Sequence, residues 1–441
     1  MSLNRCFQPS ISLKSADGQQ SNHHQYQPIK VLDIELSSQL RTIQGLNRYS
    51  TFLALVRLHD SPLGYVHLPL IGGCCTAVTL EKVVLDRLGG AIVGHLARDG
   101  VSVPQPDHLR LADLVGVPHP PYMGPFPMVT VAVCTRNRPT DLALCLDALC
   151  HLDYPALDIL VVDNAPRDNS AKCLVHSLYP NARYVCASRP GLSWARNRAI
   201  TEAKGEIIAY IDDDVIVDSG WTRALVQTFA ETTEIVAVTG LVVPYELETP
   251  AQVLFELYGG FGRGFRRTCY RLNGKTSKKI SAHYAPGSMG TGANMAFRRD
   301  LFNRIAPFDP ALGAGTATAG GEDIEMFFRI AQEGYTLMYE PDAIVRHRHR
   351  RDYASLRKQI THNGIGFSSY LVRSALAYPS LRSAFTQSWI KWFWNWIVKR
   401  LRVSLVRRNH IPPDLILAEI WGGLVGLGRY HQSQNITKRR I

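Results

Sequence analysis

The sequence predicts an α/β protein with a parallel central sheet, a small α+β domain before it and a helical region after it. Two observations carry this prediction. Between residues 128 and 243, short apolar runs alternate with segments of helical spacing. The chain also has 441 residues, of which 46% are hydrophobic, so two or three domains with buried cores are expected. This composition excludes a wholly disordered, collagen-like or disulfide-stapled chain.

Four parts are expected along the chain. The first is rich in Ser, Gln and His without an apolar core, which predicts a disordered leader and no signal peptide. Five prolines within 117–127 predict a linker ahead of the central domain. No apolar run reaches the ~18 residues of a spanning helix. The predicted parts are the leader 1–28, the α+β domain 29–117, the central domain 128–350 and the helical C-terminal region 351–441.

In the N-terminal domain, two strand-like runs flank a turn signal at Asp60-Ser61-Pro62, and a segment of helical spacing follows. The residue pattern of this domain indicates no particular chemistry. The predicted elements are the strands Phe52–Leu58 and Gly64–Leu68 and a helix from Val78 to Leu96.

In the central domain, five apolar runs predict strands with helices between them. Ligands of such sheets bind beyond the carboxyl ends of the strands, so the residues that follow each strand are the place to seek chemistry. The predicted strands are Val129–Val133, Asp158–Val162, Tyr184–Cys186, Ile207–Ile211 and Ile235–Val243, with helices near 140–149, 171–178, 193–203 and 221–229.

The positive charge is concentrated at the C-terminal end. The formal net charge is +12, but residues 346–441 hold 18 Lys and Arg against three acidic residues, a balance of +15. The rest of the chain has 31 basic and 34 acidic residues. This asymmetry argues against a protein that coats nucleic acid over its whole surface and indicates a tail with its own polyanionic partner.

The nine cysteines form no CxxC motif, and three of them, Cys134, Cys145 and Cys173, fall inside apolar patterns. We therefore expect buried free thiols and a reducing compartment, the cytoplasm.

Polar residues follow four successive predicted strands or open the next helix. Each one alone is also typical of a cap, a turn or a solvated side chain, but four in succession indicate a ligand site. The segments are Cys134–Pro139, Asp163-Asn164, Arg189–Arg198 and Asp212-Asp213-Asp214.

The three consecutive aspartates are the sharpest feature. Carboxylates this close repel one another, and a divalent cation such as Mg²⁺ or Mn²⁺ would neutralise them and bridge to substrate phosphates. The alternative is a helix cap with a solvated loop. Because Asp213 adds a third carboxylate, the sequence leaves open which pair would bind the metal.

Further downstream, small residues in Thr291–Phe297 would let a ligand approach the backbone closely. A helix then begins with Glu322, Asp323 and Glu325. These acids either complement the helix dipole or place one carboxylate as a general base toward a substrate hydroxyl.

Seven segments of residues 128–350, about half of the chain, resemble the family 2 glycosyltransferases in the order of that family. The resemblance implies a GT-A fold, that of the Rossmann-like nucleotide-diphospho-sugar transferases. The segments are VTVAVCTRNRP, ILVVDNAP, GLSWARNRAI, IIAYIDDDV, TGANMAFRR, GGEDIEMFFRI and PDAIVRHRHR.

The resemblance also implies roles for individual residues. The donor nucleotide and diphosphate would be held by Thr135, Asn137, Arg138, Asp163, Arg196, Arg198, Asp212 and Asp213. The metal would bind at Asp212 and Asp214, and His347 resembles a histidine that approaches the metal or diphosphate. Gly292 and Asn294 would line the sugar and acceptor pocket, while the catalytic pair would be Glu322 and Asp323, with Asp323 as the base.

A metal-binding carboxylate cluster and a separate carboxylate fit an inverting hexosyl transfer from a nucleotide-diphosphate sugar to a hydroxyl of a glycan or lipid-linked acceptor. This activity belongs to polysaccharide or cell-envelope biosynthesis. One alternative is a non-catalytic protein of the same fold that binds sugar nucleotides or glycans. Another is a nucleic-acid-binding protein built on the basic tail, although we expect no nucleic-acid partner.

Two basic segments have open interpretations. Residues 260–280 carry seven cations and no acid, which predicts a mobile loop that either closes over a diphosphate or is simply solvated. In the C-terminal region, Trp389, Trp392, Phe393 and Trp396 share a helical face among Lys and Arg. This pattern favours an interfacial helix that holds the enzyme on the inner, anionic face of the membrane, and the alternative is packing on the catalytic domain.

Overall fold

The computed structural model describes residues 27–101, 109–120, 122–271, 286–406 and 411–439. Most of the predicted leader therefore lies outside the described residues. The chain divides into two compact units. The first consists of the residues up to Tyr122 together with Pro244–Gly260 and His349–Tyr353; the second consists of Met123–Val243, Phe261–Arg348 and the residues from Ala354 onward.

The first unit contains a three-stranded sheet and a long helix. Its strands are β1 (Ile29–Glu35), β2 (Thr51–Leu58) and β3 (Ser61–Pro69), and its helix α1 spans Ala77–Arg98. The sheet order is β1-β2-β3, with β1 parallel to β2 and β2 antiparallel to β3. The strands β2 and β3 and the helix were predicted, whereas β1, in which apolar and polar residues are mixed, was not.

The hairpin between β2 and β3 turns over two residues, His59 and Asp60, which both have positive φ angles of 53° and 64°. This is the backbone of a tight type I′ turn, which costs energy in residues other than glycine. Glu35 stabilises it, because its carboxylate accepts hydrogen bonds from the backbone N–H of His59 at 2.9 Å and of Asp60 at 3.1 Å. The turn therefore holds the His59 side chain in a defined place.

The second unit is organised by a nine-stranded sheet with the order β10-β12-β9-β11-β7-β4-β5-β6, and β8 pairs with β12. All five predicted strands of this domain are found. The strands are β4 (Val129–Thr135), β5 (Leu157–Asn164), β6 (Ala182–Ala187), β7 (Ile207–Asp212), β8 (Val215–Val217), β9 (Ile235–Pro244), β10 (Thr268–Tyr270), β11 (Asn294–Arg298) and β12 (Thr336–His347).

Helices connect these strands and extend the chain beyond them. They are α2 (Pro139–Cys150), α3 (Ser170–Leu178), α4 (Leu192–Glu202), α5 (Trp221–Ala230), α6 (Pro250–Tyr258), α7 (Glu322–Gln332), α8 (Tyr353–Ala377), α9 (Arg382–Trp392), α10 (Lys399–Val406) and α11 (Pro413–Lys438). A π-helical segment, Phe393–Val398, joins α9 to α10, and short 3₁₀ turns lie at Leu111–Leu114, Pro286–Ser288, Arg299–Asn303 and Pro379–Leu381.

The α/β class is confirmed, but the prediction of a wholly parallel sheet is wrong. The strands β4, β5, β6 and β7 are parallel, as predicted. Strand β11 then enters between β7 and β9 and is antiparallel to both. Its residues fall largely in the segment Thr291–Phe297, which was interpreted as a close approach of a ligand, and its direction is set by the sheet partners that it contacts. The sheet is therefore mixed.

The described half of the basic segment 260–280 is bound to the sheet. Residues Thr268–Tyr270 form the edge strand β10, which pairs with β12. Arg267 forms ion pairs with Glu231 at 2.5 Å and Glu340 at 2.6 Å, and Arg271 pairs with Glu234 at 2.6 Å. The acids absent from the segment itself are supplied by distant parts of the chain, so the prediction of a mobile loop is wrong for these residues. Three of its cations, Lys275, Lys278 and Lys279, lie outside the described residues.

The thiol prediction is confirmed in part. Cys145 is buried and Cys134 nearly so, and burial raises the pKa of Cys134 to about 12. Cys173 is exposed, which corrects the prediction. Its neighbours Ala171 and Val175 occupy the buried side of α3, two residues away in each direction.

The C-terminal helices pack closely on the second unit. A Cβ atom at Gly426 of α11 would lie 2.6 Å from the carbonyl oxygen of Ile365 in α8. The indole N–H of Trp389 donates to Ser368 at 3.1 Å, and the ring of Trp392 lies 5.4 Å from that of Phe367. Trp389 also packs against a hydrophobic cluster that includes residues of the central domain, as the packing alternative expects, whereas the ring contact of Trp392 is with α8 of the C-terminal region itself.

Replacing Gly426 with Ala should lower the free energy of unfolding by about 1–3 kcal/mol, because the added methyl group would collide with the α8 backbone. The matched control is Gly428→Ala in the same helix, where a Cβ atom meets nothing within 4 Å. That variant should be unchanged or more stable by up to about 1 kcal/mol through helix propensity. Denaturant titrations of both variants test the packing, and equal stabilities would contradict it.

Candidate functional site

The three aspartates occupy the tight connection between β7, which ends at Asp212, and β8, which begins at Val215. Asp213 and Asp214 are buried, whereas the side chain of Asp212 is 35% exposed. Strand β4 is parallel to β7 and β5 is parallel to β4 on the same side, so their terminal residues Thr135 and Asp163 come to the same edge of the sheet. Burying adjacent carboxylates requires neutralising partners.

Arg138 is the neutralising partner of the two buried aspartates. Its guanidinium lies 2.5 Å from Asp213 and 3.0 Å from Asp214, and the hydroxyl of Thr135 donates to Asp213 at 2.8 Å. Burial raises the pKa of Asp213 to about 7, although the charge of Arg138 acts against this rise. Both carboxylate oxygens of Asp213 are thus used inside the protein.

His347 joins the cluster from β12. The pairing of β12 with β8 sets His347 opposite Val215, and its Nε2 lies 3.2 Å from Asp214 Oδ1. One ligand atom each from Asp212, Asp214 and His347 lie within 4.8 Å of one another. Two carboxylate oxygens and an imidazole nitrogen suit a divalent cation such as Mn²⁺ or Mg²⁺. The geometry therefore favours Asp212 and Asp214 as the metal-binding pair.

Arg196 of α4 lies between the aspartates and the Glu-Asp pair. It is 2% exposed, and its guanidinium contacts Glu322 at 2.7 Å, the Gly292 carbonyl at 3.3 Å and Asp212 at 3.7 Å. Burial alone would lower the pKa of Arg196, but Glu322 and Asp212 outweigh it and the pKa is raised. Burial likewise raises the pKa of Glu322 and of Asp212, and Arg196 opposes both shifts.

Glu322 and Asp323 open helix α7, but they have different surroundings. Glu322 is buried against Arg196, whereas Asp323 is partly exposed. The carboxylate of Asp323 accepts hydrogen bonds from the backbone N–H of Gly292 and of Ile324, both at 2.8 Å. These contacts fix the orientation of Asp323 while leaving it accessible. The third acid of this turn, Glu325, is fully buried with Arg329 and Arg373 and stabilises the fold.

Gly292 lies where no side chain fits. A Cβ atom there would be 2.7 Å from Arg196 Nη2 and 3.2 Å from Asp323 Oδ2. The glycine thus lets the backbone bind both side chains at once, the N–H to the carboxylate and the carbonyl to the guanidinium.

Asn294 is fully buried, and its amide is used inside the protein. Its oxygen accepts from the indole of Trp221 at 2.9 Å, and its nitrogen donates to the carbonyls of Leu241 and Ala343. Both amide protons are thus taken, and the side chain ties together β9, β11, β12 and α5. This arrangement assigns Asn294 to the support of the pocket rather than to its lining.

The remaining nucleotide-binding candidates differ in their surroundings. Asp163 is buried and accepts from Tyr184 at 3.0 Å, but its Oδ1 has no hydrogen-bond partner among the described residues, and burial raises its pKa. Asn137 has a positive φ of 54° and accepts from the backbone of Arg167 at 2.9 Å. Arg198 is exposed and pairs with Glu202 on the next turn of α4, so the structure does not bring it to the aspartates.

Two residues at the site were missed. The ring of Phe261 packs edge-on against His347 with 4.9 Å between ring centroids, and the backbone N–H of Arg348 donates to the carbonyl of Asp214 at 3.0 Å. Phe261 comes from a distant, unpatterned part of the chain and gave no signal. Arg348 follows His347 directly, in a segment that was already singled out.

One family model matches part of this chain. Residues 130–306 match the family model described as Glycosyl transferase family 2. The match identifies this stretch of the central domain as a family 2 glycosyltransferase domain.

Several curated proteins are similar to parts of the chain. The succinoglycan biosynthesis protein ExoM of Rhizobium meliloti (strain 1021) is 30% identical over 49% of this chain and 65% of its own length. The pre-mycofactocin glycosyltransferase of Mycobacterium tuberculosis (strain ATCC 25618 / H37Rv) is 26% identical over 64% of this chain and 55% of its own length. The chain thus spans about half to two thirds of the length of these relatives. Among solved structures, the chain is similar to the mannosyltransferase PcManGT of Pyrobaculum calidifontis in complex with GDP-Man and Mn²⁺. The alignment covers 79% of this chain and 97% of that chain, with a TM-score of 0.47 and 17% sequence identity.

Replacing Asp212 with Asn should weaken Mn²⁺ binding by about tenfold or more, because the variant loses a charged oxygen ligand. The matched control is Asp213→Asn, where the carboxylate faces Thr135 and Arg138 instead. It should retain most of the affinity. Calorimetric titration of both variants with manganese measures the difference, and a larger loss in Asp213→Asn would overturn the choice of metal-binding pair.

Proposed function

We propose that this protein is an inverting glycosyltransferase that moves a sugar from a nucleotide-diphosphate sugar to a hydroxyl of a glycan or lipid-linked acceptor. One observation carries the proposal: a cluster that could hold a cation, Asp212, Asp214 and His347, is joined through buried Arg196 to Gly292, whose backbone N–H holds the separate carboxylate of Asp323. Membership of residues 130–306 in the family supports the activity.

On the donor side, the proposed nucleotide-binding residues lie around the end of β7. Arg138 and Thr135 hold the aspartates in place, and the buried, unpaired oxygen of Asp163 would accept a hydrogen bond from the nucleoside. A Mg²⁺ or Mn²⁺ ion at the cluster would neutralise charge that develops on the departing diphosphate. Arg196 supplies fixed positive charge at the same place.

On the acceptor side, Asp323 is the proposed general base. It is held by the Gly292 and Ile324 amides and remains partly exposed. Arg196 and Gly292 stand between it and the aspartate cluster in the chain of contacts. A base separate from the leaving group's charge fits a single displacement with inversion. Glu322 positions Arg196 rather than reacting itself.

The name of one relative indicates the kind of biosynthetic pathway to which the proposed transfer would belong. One relative bears the name of a succinoglycan biosynthesis protein, which favours a hexosyl transfer in polysaccharide or cell-envelope synthesis. The alternative, a non-catalytic protein that binds sugar nucleotides, would have no need of an oriented and accessible Asp323.

Asp323→Asn should reduce sugar transfer by about a hundredfold or more while donor binding stays unchanged, because only the base is removed. The control is Asp300→Asn, an exposed aspartate that pairs with Arg304 and should retain full activity. Metal-dependent release of nucleoside diphosphate is measured over a panel of sugar nucleotides. If sugar nucleotides stabilise the wild type against heat without being turned over, the non-catalytic alternative is favoured. If turnover is unaffected in Asp323→Asn, Asp323 is not the general base.

The C-terminal region is proposed to bind the inner, anionic face of the cytoplasmic membrane. Trp394 is 61% exposed and Trp421 is 65% exposed, and residues 346–441 carry a net charge of +15. Exposed tryptophan among Lys and Arg is typical of interfacial helices. Among the described residues, no helix is both long and apolar enough to cross a bilayer. Trp389 and Trp392 are only partly exposed and pack against α8, so they are not part of this proposed surface.

Replacing Trp394 and Trp421 together with Ala should lower binding to vesicles of anionic lipid by about tenfold, because the apolar anchors are lost. The control variant has Ala in place of Leu144 and Leu178, which are exposed leucines of α2 and α3. It should bind anionic vesicles as the wild type does. Co-sedimentation with neutral and anionic vesicles measures the effect. Stronger binding of the wild type to RNA or DNA than to anionic vesicles would contradict a membrane partner.

A further inference from the structure

A second cluster of metal-ligating side chains lies in the first unit, apart from the residues assigned to sugar transfer. Its members come from three places in the chain: the strained hairpin turn, the last turns of α1 and the segment after the Leu111–Leu114 turn. Ligand atoms of all four residues lie within 4.8 Å of one another. The residues are His59, His95, Asp99 and His119.

Four of the six distances between ligand atoms of the cluster are close to those of a tetrahedral metal site. Three ring nitrogens surround a single oxygen, Asp99 Oδ2: His59 Nδ1 at 3.1 Å, His95 Nε2 at 3.2 Å and His119 Nδ1 at 2.9 Å. His59 Nδ1 and His95 Nε2 are themselves 3.1 Å apart. Four ligands at 2.0–2.1 Å from a tetrahedral centre would be about 3.4 Å apart. Only a small outward movement would admit an ion.

The hydrogen bonds around His59 orient one of its ring nitrogens into the cluster. His59 Nε2 lies 3.0 Å from the carbonyl oxygen of Val117, which can only accept, so this nitrogen carries the proton. In the neutral ring, the lone pair of Nδ1 then faces His95 Nε2 and the Asp99 carboxylate, both at 3.1 Å. A cation at this point would be bound by that lone pair, and a ligating histidine commonly donates its other N–H to a carbonyl in this way.

The surroundings suit a structural site. His59 and His95 are buried, and His95 and Asp99 are four residues apart, on one face of α1. The Nδ1 atom of His95 lies 3.5 Å from exposed Arg98, which needs only to turn into solvent to release that nitrogen. His119 is 43% exposed and provides a path for entry.

We infer that His59, His95, Asp99 and His119 bind a zinc ion that ties the hairpin, the end of α1 and the following segment into one folded unit. Three imidazoles and one carboxylate form a nitrogen-rich, four-ligand set, which prefers Zn²⁺ to Mg²⁺ or Ca²⁺. With all four positions supplied by the protein, the site is structural rather than catalytic. It is therefore independent of the sugar-transfer chemistry proposed above.

The test uses the full chain without a polyhistidine tag, dialysed against excess Mg²⁺ so that the aspartate cluster does not retain zinc. Elemental analysis should find about one zinc ion per chain, and a zinc X-ray absorption spectrum should show imidazole ligands at about 2.0–2.1 Å. Stripping with a chelator should lower the melting temperature, and Zn²⁺ but not Mg²⁺ should restore it.

Two variants of the cluster and two controls separate the possible results. His95→Ala and His119→Ala should each lower zinc affinity by about tenfold or more. Because His95 is buried, His119→Ala at the exposed edge is the variant expected to stay folded, as circular dichroism will show. His67→Ala in β3 and Asp214→Asn in the aspartate cluster should retain the zinc. The inference is overturned if the stripped wild type fails to take up zinc, or if His119→Ala and the controls bind it equally.

Discussion

The buried guanidinium of Arg196 is the interaction on which the candidate active site depends. A charge with 2% exposure is tolerable only where opposite charges and acceptors surround it, and Glu322, Asp212 and the Gly292 carbonyl do so. Removing one partner of such a buried pair commonly costs about 3–5 kcal/mol. Helix α4, strand β7 and helix α7 are therefore held in one arrangement by a single side chain, and this arrangement is also the one that separates the aspartate cluster from Asp323.

A second arginine performs the same task at the other side of the cluster. Arg138, at the start of α2, neutralises Asp213 and Asp214, which repel each other. Arg138 pairs with Asp213 and Asp214, and Arg196 pairs with Asp212. Asp213 is turned into the protein, while Asp212 and Asp214 remain beside His347. The distribution of charge thus explains how three adjacent carboxylates can coexist, and why only two of them remain for a cation. Both arginines belong to segments that follow or open elements of the parallel half of the sheet, where ligands of α/β proteins bind.

The basic charge of the chain also has more than one role. In the segment before β11, Arg267 and Arg271 are paired with acids of neighbouring elements and fasten an edge strand. In the C-terminal helices, Trp389 and Trp392 pack against α8, while Trp394 and Trp421 are mostly exposed to solvent. A count of charges or tryptophans along the sequence does not distinguish cations that are paired from those that are solvated, or tryptophans that are packed from those that are exposed. Pairing and burial depend on partners from distant parts of the chain.

The sequence by itself determined the alternation of strands and helices, the strand ends that carry polar residues, and the match of residues 130–306 to a glycosyltransferase family, since these properties reside in local periodicity and in short motifs. Only the tertiary structure decided the antiparallel insertion of β11, the burial of Asn294, the outward direction of Arg198, and which aspartates face His347. It also brought His59, His95, Asp99 and His119 together from a segment in which the sequence indicated no chemistry. The physical reason is common to all of these: hydrogen bonds and charge neutralisation act between residues close in space, and periodicity along the chain carries no information about which distant residues will meet.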